Sequence, residues 1–449
     1  MEHDAERLSA QVAVDTAGIA EAVDEIGIDL DQETGPSIDL TRLYRLWEAS
    51  SWSAYAIDFT QDARDWRERL TPQQRRAAEW NYALFLHGEE AVARTLAPFV
   101  SAAYTQEQRI FLTTQIVDEA RHHVFFSRFM REVIGVGHDM QSTLEAVRPD
   151  LTVGFRRVFD QLDRLTDRLR RHPNDRVFLA QCIALYHLVI EGTLAHPGQH
   201  MIRDYVTTMG MLPGFAQGIA SVSRDESRHM AFGVQVLGEL VAASAATKRA
   251  VIHLLNRILP WTLSLFISPE LGDDAVRVFG WELEDLYAFG LRSFDTKLKR
   301  AGIHPGEVAT LVKIGGDGTP PDRARRALKL LRAGVFGNAA PLRVDDEILT
   351  MLFEGLQDVM NMRPPSSVPG AIQWDFTDAP PWYVEPAADC VNACQGRADA
   401  PVLTLRCSVD DWARIAGDKL NPTLALVTRK LKLSGEPALM LRLPAILGS

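Results

Sequence analysis

One short pattern occurs twice in the chain, and it restricts the fold more than any other feature. Glu119 and His122 form the first copy, and Glu226 and His229 form the second. Residues at positions i and i+3 of a helix lie on one face, about one turn apart, so both side chains of a pair can reach one metal ion. The first copy lies within residues 110–126, which are apolar on nearly every side of a helix. A carboxylate and a histidine buried there need a charged partner or a metal.

Two further glutamates, Glu89 and Glu191, lie in other helix-like segments of the same region. A single Glu-x-x-His pair is more often a solvated salt-bridge partner, but two copies in matching contexts favour a metal site. Four helices would supply two such pairs and two single glutamates, the ligand set of a carboxylate-bridged di-metal centre in a helix bundle. The sequence therefore predicts that two metal ions are held by Glu89, Glu119, His122, Glu191, Glu226 and His229.

Composition excludes several other classes of protein. With 449 residues, the chain is long enough for more than one domain. The net charge of −11 without a basic stripe argues against a nucleic-acid surface. The first residues lack the basic and apolar regions of a signal peptide. Four cysteines without metal-site spacing are typical of a reducing compartment, so a cytoplasmic location is expected. The apolar stretch 250–271 contains His253, Asn256 and Arg257, which indicates a core helix rather than a membrane span.

The hydrophobic pattern divides the chain into three parts. Residues 1–37 are acidic and poorly periodic and form an N-terminal lead-in. Residues 38–335 show long amphipathic helices, as a bundle requires. Thr71 and Pro72 predict the N-cap and first position of one of them. The expected helices run roughly over 72–104, 106–135, 151–171, 175–206, 212–242 and 246–267, the last kinked at Pro260.

Residues 345–449 form the third part, a small α+β unit. An amphipathic helix is expected over 345–362, and the segments 371–376, 382–385 and 402–407 alternate as strands do. Ser408 predicts the N-cap of a further helix, with Asp411 at the reciprocal capping-box position. The fold class is therefore an all-α helix bundle followed by a small α+β domain.

The first 330 or so residues resemble the ribonucleotide reductase small-subunit superfamily, and most of all its ligand-binding oxidase branch, which houses an Mn/Fe or Fe/Fe centre. Gly88-Glu89-Glu90-Ala91-Val92 is similar to the segment that carries the first ligand. The other five candidate ligands match as well, which implies a ferritin-like fold. Trp52 resembles the tryptophan of the reductase subunit. The resemblance implies that Asp225 orients a ligand histidine, as such sites commonly require.

Differences between relatives decide which branch is resembled most. Radical-storing reductase subunits have a tyrosine where this chain has Phe126, so a tyrosyl radical at that position is excluded. Di-iron amine N-oxygenases, a third similar family, have an extra histidine ligand where this chain has Val222. Val92 and Tyr186 match the valine and tyrosine that an ether cross-link joins in the oxidase branch. The alternative for this pair is ordinary core packing and a hydrogen-bonded buried phenol.

The C-terminal part, about residues 345–447, resembles the sterol-carrier-protein domain. The likeness rests on Val409-Asp410-Asp411-Trp412, Gly417-Asp418-Lys419-Leu420-Asn421-Pro422 and Leu431-Lys432-Leu433-Ser434-Gly435-Glu436, followed by an apolar end to Leu447. That family encloses a hydrophobic tunnel for lipids or fatty acyl groups. An interaction or dimerisation module with an ordinary core is the alternative.

Together these features favour a di-metal, oxygen-activating oxidase or oxygenase that acts on a lipid-like or acyl-chain substrate. The alternatives are a radical-storing reductase subunit, an amine N-oxygenase and a lipid-binding protein whose bundle is only a scaffold. The expected partners are dioxygen and a lipid-like or fatty-acyl small molecule. The sequence identifies no electron donor, and it is compatible with a homodimer.

Overall fold

The computed structural model describes residues 37–148, 151–308, 318–337, 340–361, 370–436 and 439. Apart from Ser37, the expected lead-in 1–37 lies outside the described residues. The apolar end that precedes and includes Leu447 also lies outside them, except Leu439.

The larger region is helical, as the hydrophobic pattern predicts. Its helices are α1 (Leu40–Ala49), α2 (Thr60–Glu68), α3 (Pro72–Thr95), α4 (Ala97–Ala102), α5 (Gln106–Phe129), α6 (Met140–Val147), α7 (Val153–Arg171), α8 (Arg176–Ile183), α9 (His196–Thr208), α10 (Pro213–Ala243), α11 (Ala245–Thr262), α12 (Asp274–Arg277), α13 (Leu283–Arg300) and α14 (Pro320–Arg332). Their inward faces share a continuous apolar core.

The start of α3 follows directly from its sequence. The Thr71 hydroxyl accepts a hydrogen bond from the Gln74 backbone N–H, and the Gln74 side chain accepts one from the Thr71 N–H. The expected helix over 72–104 is nevertheless divided, because α3 ends at Thr95 and α4 begins at Ala97. Pro98 lies in the first turn of α4. Proline lacks the N–H that a continuous helix would need there, and its ring clashes with the carbonyl four residues earlier.

The segment between α8 and α9 differs from the expected continuous α-helix over 175–206. Residues Ala184–Ala195 form a π-helix, here called the π segment, and Pro197 follows in the first turn of α9. The whole run Arg176–Thr208 has the length and apolar composition of a membrane span, with a mean hydropathy of 1.6, but 78% of its most apolar window is buried in the protein. It is therefore a core helix. It is a different segment from the apolar stretch 250–271, for which the sequence predicts a core helix rather than a membrane span. Pro260 lies inside α11, two residues before its end.

The C-terminal domain contains α15 (Asp346–Asn361), β1 (Ile372–Phe376), β2 (Trp382–Pro386), β3 (Val391–Gln395), β4 (Leu403–Cys407), α16 (Val409–Ala416), α17 (Pro422–Val427) and β5 (Lys432–Gly435). The sheet has the order β3-β2-β1-β4-β5, and β1 and β4 are parallel. The sequence pattern missed β3 and β5, because little of either edge strand is buried and neither alternates. The Ser408 hydroxyl caps α16 as expected, whereas the Asp411 carboxylate lies 3.6 Å from Lys430 Nζ.

Aromatic rings fill the centre of this domain. Phe353 on α15 stacks on Trp382, with 4.6 Å between ring centroids, and Trp374 lies edge-on to Trp412 at 5.3 Å. The domain contacts the helical region through a salt bridge of 2.7 Å between Arg326 and Glu354. The expected boundary between 335 and 345 stays a prediction; the helices on either side of it are α14 and α15.

Candidate metal centre

The six candidate ligands lie together in the interior of the bundle. Glu89 comes from α3, the first Glu-x-x-His pair from α5, Glu191 from the π segment and the second pair from α10. All six side chains are buried, and both histidines are fully so. Their ligand atoms form two groups, one of Glu89, Glu119, His122 and Glu226 and the other of Glu119, Glu191 and His229, each within 4.8 Å.

The two histidines define two neighbouring metal positions. His122 Nδ1 lies 3.5 Å from Glu89 Oε2. His229 Nδ1 lies 3.5 Å from Glu191 Oε1. The centroids of the two imidazole rings are 6.1 Å apart. Glu89 and Glu191 could therefore each serve one of the two positions.

The remaining two glutamates face both positions at once. One oxygen of Glu119 lies 3.6 Å from His122 Nδ1, and the other lies 3.2 Å from His229 Nδ1. The oxygens of Glu226 lie 3.7 Å and 3.4 Å from the same two nitrogens. Each of these carboxylates could therefore bridge two metal ions.

Unpaired polar atoms show that the cluster fits metal ions. Nδ1 of both histidines is buried without a hydrogen-bond partner, as are Oε2 of Glu191 and Oε2 of Glu226. Buried polar atoms normally have partners, and leaving one unpaired is costly. Here the orphaned lone pairs converge on the same volume. Two cations at the centre would satisfy them all.

The charges in the cluster depend on one another. Burial raises the pKa of Glu89 and of Glu191 well above the ordinary value. Burial would lower the pKa of the two histidines, but the carboxylates around them outweigh it and hold the pKa of both His122 and His229 well above the ordinary value. Without metal, the histidines therefore keep protons that metal ions must displace.

Each histidine donates from its outer nitrogen into an Asp–Trp pair. His122 Nε2 lies 3.1 Å from Asp225 Oδ2, which also accepts a hydrogen bond of 2.7 Å from Trp52 Nε1. These contacts agree with the positions expected for Trp52 and Asp225. Neutral histidine ligands commonly need such a carboxylate to fix the ring.

The same arrangement exists on the other side and was missed from the sequence. His229 Nε2 lies 3.2 Å from Asp118 Oδ2, and Trp47 Nε1 donates to Asp118 Oδ1 at 2.9 Å. The sequence did contain a signal for Asp118, because the repeated pattern is one residue longer than Glu-x-x-His. Both copies read Asp-Glu-x-Arg-His, with Asp118 and Asp225 at the same place.

The repeated arginines connect the two aspartates. Arg121 Nη1 lies 3.2 Å from Asp118 and 3.6 Å from Asp225. Arg228 lies 3.4 Å from Asp118 and forms a short ion pair with Asp225. Buried carboxylates are expensive unless they are paired. The arginines place positive charge beside both aspartates, whose carboxylates accept from the two histidines.

The candidate cross-link pair borders the cluster. Tyr186 OH donates to Glu119 Oε1 at 2.8 Å, and Gln115 Nε2 donates to Glu191 Oε1 at 2.9 Å. Val92 and Tyr186 line the same cavity. Gln115 is a further residue that the sequence did not single out, and it holds a glutamate ligand in place.

A cavity adjoins the cluster on the side of its carboxylates. All four glutamates line it, and neither histidine does. Counting the part open to solvent, it has about 600 Å³ of space between atoms. Its remaining wall is mostly apolar and includes Leu84, Phe85, Phe155, Phe159, Ile190, Leu194, Leu265 and Phe266. The cavity therefore combines a mostly apolar wall with an end lined by carboxylates.

The residues that distinguish the relatives are buried apolar side chains. Phe126 stacks on Phe85 with 5.4 Å between ring centroids, and it has no hydroxyl that could hold a radical. Val222 on α10 is fully buried and offers no ligand atom. Both positions are therefore occupied by packed apolar side chains.

Comparisons with known proteins give the same assignment for both regions. Residues 38–259 match the family model of the ribonucleotide reductase small chain, and residues 366–448 match that of the SCP-2 sterol transfer family. Among solved structures, a valine-to-leucine variant of an R2-like ligand-binding oxidase with anaerobically reconstituted Mn/Fe cofactor is 26% identical. It covers 59% of this chain and 93% of its own, with a TM-score of 0.51.

A second similar structure is a valine-to-isoleucine variant of an R2-like ligand-binding oxidase with aerobically reconstituted Mn/Fe cofactor. It is 25% identical, covers 59% of this chain and 94% of its own, and has a TM-score of 0.51. The helical region has a ferritin-like fold, and the sheet domain corresponds to the SCP-2 match. The protein therefore joins a region that matches the ribonucleotide reductase small chain to a C-terminal region that matches the SCP-2 sterol transfer family.

Proposed function

We propose that the protein is a di-metal oxidase or oxygenase that activates dioxygen at an Mn/Fe or Fe/Fe centre and oxidises a lipid-like or acyl-chain substrate. The observation that carries the proposal is the buried cluster of four glutamates and two histidines, whose unpaired atoms converge. Similarity to oxidases with an Mn/Fe cofactor supports it. When bound, such a metal pair supplies a site for reducing dioxygen and oxidising a nearby group.

The side chains around the cluster would position the substrate and exclude water. Leu84, Phe85 and Phe266 belong to an apolar wall that suits an alkyl chain, whereas polar atoms are concentrated at the glutamates. A carboxylate end of an acyl chain would then lie at the metals and its chain along the wall. The phenolic hydroxyl of Tyr186 donates a hydrogen bond to Glu119 at the same end of the cavity.

The C-terminal domain supports a lipid-like substrate. Its match to the SCP-2 sterol transfer family makes it a candidate module for capturing the lipid that the helical domain oxidises. In this proposal the two domains divide capture and oxidation between them.

Metal analysis and oxygen uptake test the proposal. The purified full chain, loaded with iron or with manganese and iron, should bind two ions at the cluster, located by anomalous scattering at both absorption edges. With ascorbate as reductant, palmitate should increase dioxygen consumption, and mass spectrometry should show an oxidised product.

Two variants separate the cavity from the rest of the protein. Ala195→Phe places a ring in the cavity and should abolish the response to palmitate while metal content stays the same. Val117→Phe, at a side chain that is 47% exposed and outside the cavity, should behave as the parent. A fully loaded parent that consumes no dioxygen would contradict the oxidase function. An oxidase insensitive to palmitate and to Ala195→Phe would contradict the acyl substrate.

A further inference from the structure

The chain from His229 through Asp118 to Trp47 continues toward the protein surface. Tyr44 lies three residues before Trp47 on α1, and their rings stack with 5.8 Å between centroids and 30° between planes. Both side chains are half-buried, whereas Asp118 and His229 are buried. Stacked or hydrogen-bonded groups thus link the second metal position with the boundary of the molecule.

The outer end of this chain has its own proton acceptor. Tyr44 OH donates to Glu48 Oε1 at 3.0 Å, one helical turn further along α1. A phenol loses its proton when it loses an electron, so a carboxylate in hydrogen-bond contact lets both leave together. The hydrogen bond between Tyr44 and Glu48 is exposed, so a proton transferred to Glu48 is accessible to solvent.

The inner end has a group that stabilises positive charge on the indole. Trp47 Nε1 donates to Asp118, whose carboxylate is paired with Arg121 and Arg228. A carboxylate oxygen in hydrogen-bond contact favours an indole radical cation, and the N–H proton remains on the ring nitrogen throughout. Trp47 itself does not face the candidate ligands; it reaches them through Asp118 and His229.

We propose that Tyr44 and Trp47 form an electron route between the protein surface and the metal position beside His229, separate from the Trp52–Asp225–His122 contact. The route rests on the proposed function, because the oxidant is the centre after its reaction with dioxygen. An electron moves from the Trp47 indole to the oxidised centre. Tyr44 returns an electron to the indole and passes its proton to Glu48. A one-electron reductant at the surface then reduces the tyrosyl radical, and Glu48 returns the proton.

A measurement without dioxygen tests the route independently of the oxidase function. The iron(II)-loaded full chain is mixed with a photogenerated ruthenium(III) tris-bipyridine oxidant under argon, and formation of iron(III) is followed by absorbance. Each ruthenium(III) takes one electron, and one iron(II) becomes iron(III). Tyr44→Phe and Trp47→Phe should each slow the protein-mediated reaction by about tenfold.

Three controls separate electron transfer from structural effects. Tyr44→Phe keeps the hydrogen bond from Trp47 to Asp118, so its metal content should equal that of the parent. Tyr55→Phe changes a phenol that is 70% exposed and should not alter the rate. In freeze-quench electron paramagnetic resonance, the Trp52→Phe variant should still show a tyrosyl signal. The Tyr44→Phe variant should lack that signal.

The outcomes distinguish the route from the oxidase function. Unchanged rates in both Tyr44→Phe and Trp47→Phe, at full iron content, would overturn the route even if the parent consumes dioxygen. A slower rate in these two variants alone would support it even if the parent does not react with dioxygen. Equal slowing in Tyr55→Phe would also overturn it, because the effect would then not be specific to the stacked pair.

Discussion

Glu119 is the residue on which both metal positions depend most, since its two oxygens face one histidine each. We expect Glu119→Ala to abolish binding of two metals, with affinity lower by at least about tenfold, given that changes even behind the ligands cost about 10–100-fold. Metal content by mass spectrometry of the desalted protein measures this. Glu90→Ala, at the glutamate adjacent to Glu89 but outside the cluster, is the control. A Glu119→Ala variant with two bound ions would refute the assignment of the centre.

A second prediction at the level of single residues concerns Val92 and Tyr186. After aerobic metal loading, we expect a covalent link between the Tyr186 oxygen and the Val92 side chain. The phenolic hydrogen and one valine C–H hydrogen are lost, and their two electrons reduce the dioxygen-oxidised centre. Intact-mass spectrometry should show a protein lighter by two hydrogen atoms, and Tyr186→Phe should lack the change. Peptide maps that contain only the two unmodified peptides would rule the link out.

The protonation of His122 and His229 predicts how metal uptake depends on pH. The pKa of both is held well above the ordinary value, with burial opposing and the carboxylates prevailing. Metal ligands must be deprotonated, so each bound ion displaces protons. Apparent affinity should therefore rise with pH and continue to rise above about 6.5, the ordinary histidine pKa, because the pKa of both rings is raised. Titration with iron(II) in weak buffer should acidify the solution. Affinity that falls with pH would contradict this reading of the site.

At the level of single residues, the sequence could predict the contacts that depend only on spacing within one helix. Glu119 and His122 are three apart on one helix, so their convergence follows from helix geometry alone. The contact of Trp47 with Asp118 joins residues 71 apart in the chain, and its formation depends on how α1 packs on α5. The hydrophobic periodicity of α1 and α5 does not predict how the two helices pack on each other. Only the repeated Asp-Glu-x-Arg-His pattern indicated a role for Asp118.

Among the elements, the π segment matters most for the site. Tyr186 and Glu191 are five residues apart, and in an α-helix they would point about 140° away from each other at 3.6 residues per turn. The wider i→i+5 turn brings them closer to one face. The extent of this helix could be predicted from its apolar run, but its winding could not, since the pattern of apolar residues is nearly uniform there.

The packing of the π segment on α10 gives a prediction at Gly233. A Cβ there would lie 2.2 Å from the Cβ of His187, so Gly233→Ala must push the two elements apart. Overpacking of this kind costs about 1–3 kcal/mol. We expect a lower unfolding temperature and weaker binding of the ion near Glu191. Gly238→Ala on the same helix meets its nearest atom at 3.6 Å and should be tolerated. Equal behaviour of both variants would show that this contact does not hold the site.

The whole molecule combines two regions of different kind, one helical around charged groups and one built on a sheet around aromatic rings. The domain order could be predicted from the change in hydrophobic period, whereas the edge strands β3 and β5 could not, because little of either is buried.

Metal binding should therefore affect the two domains unequally. Ligands that bind only the folded state raise its stability. Because the cluster lies wholly in the helical domain, we expect metal loading to raise the unfolding temperature of that domain and leave the transition of the C-terminal domain in place. Scanning calorimetry of the apo and loaded full chain measures this. An equal rise of both transitions would indicate that the domains unfold as one unit.

The cavity reaches the centre past its glutamates, and no residue of α1 lines it. The hydrogen bonds from Trp47 and Trp52 arrive behind the histidines instead. A molecule seated in the cavity and a reductant docked at α1 would not exclude each other. Their kinetic effects should then be separable: saturating either one would leave the Michaelis constant of the other unchanged, and a donor as large as a protein could deliver electrons while the substrate remains bound.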